Sequence, residues 1–278
     1  MRHLAWFHWP VRMSESAPVL AHTDVGTGPP IVLLHGWSLD GGTWQPQVDR
    51  LVDLGHRVVV PDLPGHGRSL GGHLNQSFPA MPGFVLQLLA ALEIDRAVLV
   101  GLSMGSAIAI EAALAAPDVV AGLVLANNAA SDCDAGRAAA AVARLRSCTA
   151  TELATWYAPL LFSEAFRQEK PLAVATWSRQ FAGNDLEALA EVLLGYHVRR
   201  DVRPLLAGID VPTAIVFGSE DAATPEERRH DYDAVPGAMR RDLPGAGHLA
   251  NVEQPEQFTR LVQELVSRVP GFTPTEGT

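Results

Sequence analysis

The chain has 278 residues, 47% hydrophobic and 19% charged, with a formal net charge of −10. That composition excludes a disordered chain and supplies enough apolar surface for a large core. The acidic balance argues against nucleic acid or an anionic membrane as a main partner, because both reward a basic surface.

Met1 to Arg12 mixes Arg2, His3, His8 and Pro10 with Leu4, Trp6, Phe7 and Trp9, which interrupts the apolar run a signal peptide needs. Met13, followed by Ser-Glu-Ser, reads as an alternative start, and residues 1–18 are expected to form an extension outside the fold. Ile31-Val32-Leu33-Leu34 is a buried-strand pattern ending at His35-Gly36. Trp44 to Leu54 then reads as a helix closed by Gly55. Arg57 to Val60 is the next strand, Pro61 to Gly67 a loop, and Phe84 to Leu92 a helix. Ala97 to Val100 and Gly122 to Leu125 are further strands, separated by a helix that stops near Pro117. Strands alternating with amphipathic helices predict an α/β fold: a mostly parallel central sheet flanked by helices.

From Ala130 to Leu206 no strand-like run occurs, but helix formers surround Trp156, Tyr157, Phe162, Phe166, Trp177, Phe181 and Tyr196. This predicts a helical cap (130–206) inserted into a core of 19–129 and 207–268, placed over the strand ends where such sheets bind ligands. Strand character returns at Ala214 to Phe217 and weakly at Met239 to Leu243. The last helix covers Pro255 to Val266, with Phe258, Leu261, Val262 and Leu265 on one stripe. Residues 269–278 are expected to fray. The most apolar region, Ala97 to Ala126, is broken by Ser103, Glu111 and Asp118, so no membrane span is expected and a cytoplasmic location fits. Two cysteines, Cys133 and Cys148, make no disulfide framework and are expected as reduced thiols.

The chemistry concentrates at Gly101-Leu102-Ser103-Met104-Gly105, where a strand runs into a helix. A G-x-S-x-G pattern in that setting holds the serine on a sharp, strained turn with its hydroxyl exposed. The bland alternative is an ordinary turn serine. A serine hydroxyl needs a base, and the base an orienting carboxylate. Asp221 follows the strand ending at Phe217 and is the candidate acid, with Glu220 its close rival and an N-cap role its alternative. His248 closes the turn Pro244-Gly245-Ala246-Gly247 and is the candidate base. Backbone N–H groups of Met104 and Trp37 are the candidate oxyanion donors. His35 and His66 are expected to hydrogen-bond loop backbone and Asp62 to organise its loop; a zinc set of His35, His66 and His248 lacks ligand spacing, so no metal is expected. Trp37, Trp156 and Trp177 are candidates to line a pocket. Arg199, Arg200 and Arg203 are expected on a solvated face, one of them alternatively holding a substrate carboxylate.

His35-Gly36-Trp37, Pro61 to Ser69, Gly101 to Gly105, Gly218 with Asp221 and Pro225, and Gly247-His248 together resemble the α/β-hydrolases from about Val19 to Val266. Gly245 to Pro255 and Leu99 to Gly105 are most similar to the branch of 3-oxoadipate enol-lactonases and small carboxylesterases. Ser106 departs from that branch, which usually has a third glycine there, and leaves the substrate open. The resemblance implies an α/β-hydrolase fold with the chain order Ser103, Asp221, His248, and hydrolysis of a small ester or lactone through an acyl-enzyme without a cofactor. A serine at the elbow argues against haloalkane dehalogenase and epoxide hydrolase chemistry, which use aspartate there. C–C bond hydrolysis, transfer to another acyl acceptor and perhydrolysis could use the same residues. A binding protein or receptor with slow catalysis is the alternative of another class.

Overall fold

The structure, a computed structural model, describes residues 20–70, 77–131 and 135–274. The expected extension (1–18), Cys133 and residues 275–278 of the expected tail lie outside the described residues. Strands β1 (His22–Val25), β2 (Pro30–Leu34), β3 (Arg57–Pro61), β4 (Ala97–Leu102), β5 (Val120–Ala126), β6 (Thr213–Gly218) and β7 (Met239–Leu243) form one sheet in the order β1-β3-β2-β4-β5-β6-β7. Among the described residues, only β1 is antiparallel to its neighbour. Its sequence, His-Thr-Asp-Val, is mostly exposed, so it lacks the apolar run by which the other strands announce themselves.

Every residue of β4, β5 and β6 is buried, as parallel strands covered on both faces require. Side chains alternate between two cores. Ile31, Leu33, Val98, Val100, Val124 and Val216 face one; Val32, Leu34, Leu99, Leu123, Leu125 and Ile215 face the other. Helices α1 (Gln45–Asp53) and, after the sheet, the short α9 (Ala250–Glu253) and α10 (Pro255–Val266) cover the first face, where Trp44 packs against Phe258 at 5.7 Å between rings. Helices α2 (Met81–Ala91) and α3 (Met104–Ala115) cover the second. Val269 and Phe272 are buried in the first core, so this part of the expected frayed tail is held by its apolar side chains.

Between β5 and β6 lie helices α4 (Ala135–Ser147), α5 (Ala150–Leu161), α6 (Glu164–Glu169), α7 (Pro171–Ala182) and α8 (Leu186–His197). Polar punctuation sets their starts. Thr149 and Glu152 form a capping box on α5, Ser163 caps α6, and Asp185 caps α8. Tyr157, Phe162, Trp177 and Phe181 form an aromatic cluster within this cap. Trp37, in the loop after β2, joins that cluster through Tyr157 and Phe181, and its Nε1 donates to Leu189 O at 2.9 Å. The same short loop therefore touches both cap and sheet. Among the described residues, no helix is long and apolar enough to cross a membrane.

Candidate active site

The ends of the central strands open into a cavity of about 400 Å³, lined among others by Trp37 after β2, Ser103 after β4, Asn127 after β5, Thr224 after β6, His248 after β7 and Trp156 of α5. A second cavity, about 510 Å³, lies among Asp40, Asp62, Arg68 and Arg179 and touches none of Ser103, Asp221 and His248.

Ser103 has φ 53° and ψ −117°, a left-handed conformation that costs a non-glycine residue energy and is sustained only by its surroundings. Those surroundings are tight. A Cβ on Gly105 would lie 2.1 Å from Leu34 O, and one on Gly101 only 2.4 Å from the Gly105 carbonyl, so only glycine lets strand and helix cross this closely. Ser103 N donates to Ala126 O at 2.8 Å, tying the turn to β5. Ser106 tightens the same junction. Its buried Oγ lies 2.8 Å from Gly101 O and 3.0 Å from Ala126 O, and accepts from Ala126 N at 2.9 Å. The hydroxyl thus joins β4, α3 and β5 and takes no part in lining the cavity.

His248 Nδ1 lies 2.9 Å from Asp221 Oδ1. Burial pushes the Asp221 carboxyl up, but the His248 charge and hydrogen bonds from His248, Asn127 and Thr224 outweigh it and hold it well below the usual carboxylate range. An ionised carboxylate only accepts, so Nδ1 carries a proton, and in the neutral imidazole the lone pair is then left on Nε2. Asp221 also accepts from Ala223 N at 2.9 Å and Thr224 N at 3.2 Å, so the turn-capping alternative and the imidazole contact coexist in one carboxylate. Glu220 is exposed. The His248 loop is pinned from both sides: Glu220 N donates to Ala246 O at 2.8 Å, and Leu249 N to Leu161 O of the cap at 3.0 Å.

Gly36 abuts the serine, a Cβ there meeting Ser103 Cβ at 3.3 Å. Trp37 and its N–H therefore follow directly on the closest approach of this loop. Met104 is the first residue of α3, where N–H groups have no intrahelical acceptor. The loop is braced by His35, which donates from Nδ1 to Gly36 O (2.8 Å) and accepts Leu63 N at Nε2 (2.9 Å). Burial keeps His35 neutral and pushes its neighbour His66, 5.1 Å away edge to face, down to about 3. Burial raises the Asp62 carboxyl, but hydrogen bonds from Arg68 and from Gly41 N lower it further. Among the described residues, no three His, Cys, Asp or Glu side chains are grouped to hold a metal ion.

Two expectations need correction. Trp177 does not line the cavity: it is buried in the cap cluster against Phe162 and Phe181, because its helix turns that face inward. Trp156 is 43% exposed and lines the cavity, with Arg144 stacked over it at 4.2 Å. Arg199 is not on a solvated face. It is buried in the cavity wall, stacked on Tyr196 and donating to Tyr196 O and Ala129 O, each at 2.8 Å. Arg200 and Arg203 pair with Glu111 and Asp201. Sequence reading misses Asn127, whose Nδ2 donates to Asp221 Oδ2 at 2.9 Å. Its position one residue past a strand end was the only available clue.

The family model described as alpha/beta hydrolase fold matches residues 29–255. A pimeloyl-[acyl-carrier protein] methyl ester esterase of Xanthomonas oryzae pv. oryzae is 30% identical over 90% of this chain and all of its own length. A 3-oxoadipate enol-lactonase of Acinetobacter baylyi is 30% identical over 87% of this chain and 90% of its own. Among solved structures, the enol-lactonase from Burkholderia xenovorans LB400 superposes with a TM-score of 0.83 at 28% identity, covering 89% of this chain and 96% of that one. A thermophilic esterase from Thermogutta terrifontis gives 0.81 at 31% identity, covering 89% and 93%. By sequence, by sheet order and by the serine turn at the end of β4, the chain belongs to the α/β-hydrolase fold family.

Proposed function

We propose that the protein is a serine hydrolase that cleaves a small ester or lactone through an acyl-enzyme. One observation carries this: Ser103, held on a strained turn, shares a cavity with His248, whose Nδ1 is bonded to the buried carboxylate of Asp221. In this account Nε2 of His248 removes the Ser103 proton as Oγ attacks the carbonyl, then returns it to the leaving oxygen. Asp221 holds the tautomer and stabilises the imidazolium between the two transfers. The N–H groups of Trp37 and Met104 bind the oxyanion. Water, activated by the same imidazole, releases the acid and restores the serine. The chemistry needs no cofactor.

The substrate class is supported by the relatives, two of which are named as a methyl ester esterase and an enol-lactonase. It is also supported by the cavity, whose wall of Trp156, Tyr157, Leu160, Leu161 and Leu193 suits an apolar group of a small molecule. The test is hydrolysis of short p-nitrophenyl esters and of a small lactone by wild type, Ser103→Ala and His248→Ala. Turnover by wild type, lowered about 10⁴-fold or more in either variant, is expected. Equal residual turnover in all three folded proteins would reject the assignment.

A further inference from the structure

Asn127 follows β5 with φ 50°, a left-handed conformation that asparagine tolerates better than other side chains. Its N–H donates to Val216 O on β6 at 2.9 Å, while the preceding carbonyl, Ala126 O, receives Ser103 N at 2.8 Å. The residue therefore sits between the turn that carries Ser103 and the strand that leads to Asp221. Its side chain is fully buried. Nδ2 donates to Asp221 Oδ2, the oxygen not bonded to His248. Its own Oδ1 is buried and has no partner among the described residues. Turning the amide over would set two acceptors against each other, so the carboxylate dictates the orientation. A strained backbone and an orphaned acceptor meet in one residue, and both serve to keep one N–H on Asp221.

In a protein that hydrolyses esters as proposed above, we infer that Asn127 is a positioning residue. It fixes the rotation of the Asp221 carboxylate so that Oδ1 meets His248, and it stabilises the carboxylate's charge. Other charged or titratable groups lie around the pair. Arg229 donates to the Asp221 backbone carbonyl, Glu253 bonds Ser163 beside Gly247, Glu220 is exposed, and Arg199 and Arg228 line the cavity. None of them hydrogen-bonds the Asp221 carboxylate among the described residues. Without the Asn127 donor the carboxylate becomes more basic and holds the imidazolium more strongly. Neutral His248 then requires a higher pH, and the acid limb of kcat/KM moves up. A loss of packing alone lowers activity equally at every pH.

The test is the pH profile of p-nitrophenyl acetate hydrolysis by wild type, Asn127→Ala and Asn127→Leu, the last keeping the volume without a donor. Asn127→Ser serves where an apolar replacement unfolds, and thermal melts identify the folded variants. The expected result is a fall in kcat of about tenfold or more, the equivalent of one hydrogen bond to a charged group, with KM little changed. The acid limb should rise by about one pH unit. In the Asp221→Ala background, Asn127→Ala should cost nothing further. An unmoved limb in a folded variant, or a fully additive loss beside Asp221→Ala, overturns the inference while wild-type turnover leaves the hydrolase assignment standing. Absence of wild-type turnover overturns both.

Discussion

Ser106 offers a quantitative test of how the serine turn is held. Its hydroxyl is buried, bonds Gly101 O and Ala126 O, and receives Ala126 N. Ser106→Ala removes one oxygen and leaves the Ala126 N–H without that acceptor. Two buried hydrogen bonds are lost, one donated and one accepted by the hydroxyl, each worth about 1 kcal/mol. The total is about 2 kcal/mol. For a chain of this size each kcal/mol lowers Tm by roughly 2–4 °C, so a drop of roughly 4–8 °C is expected. Ser106→Gly, the residue usual in the similar branch, should fall further by about 1 kcal/mol because glycine weakens a helix. Urea unfolding of the three proteins measures the differences at constant m-value. A Ser106→Ala variant within about 0.5 kcal/mol of wild type, the range of an inconsequential surface change, would mean that the hydroxyl does not hold the turn.

Trp156 and Trp177 should part company: Trp177→Ala is expected to lose about 3–5 kcal/mol of stability, as large buried aromatics do. Trp156→Ala should lose about 1 kcal/mol or less, the worth of its cation–π and ring contacts, and instead change KM for short esters. His66 gives a pH dependence of fixed sign. The unfolded imidazole takes a proton below its ordinary 6.5, whereas burial holds the folded one down to about 3. Stability therefore falls as pH drops through 6.5 toward 3. His66→Gln should flatten that slope by up to one proton, about 1.4 kcal/mol per pH unit, in urea melts at a series of pH values; an unchanged slope would contradict a neutral buried His66.

What the sequence disclosed was what the chain encodes locally. The serine turn needs glycines at fixed offsets, so Gly101 to Gly105 were legible. The helix Pro255–Val266 was legible because its apolar stripe and N-terminal proline coincide. Helix α2 starts at Met81, earlier than its apolar pattern predicts, because Pro82 sits in its first turn, where a missing N–H costs nothing. Other features depend on partners far along the chain. Asn127 meets Asp221 across 94 residues. Arg199 looks like a solvated charge beside Arg200 until Tyr196 and two carbonyls enclose it. Trp156 and Trp177 lie on similar amphipathic helices, and only the packing of the cap decides which of them reaches the cavity.

Every step of the proposed hydrolysis depends on an activated Ser103, which a fluorophosphonate probe reports by covalent labelling. Wild type should react covalently at Ser103, while Ser103→Ala should not react and His248→Ala should react far more slowly. Equal labelling of all three, or none in folded wild type, would mean that Ser103 is not an activated nucleophile.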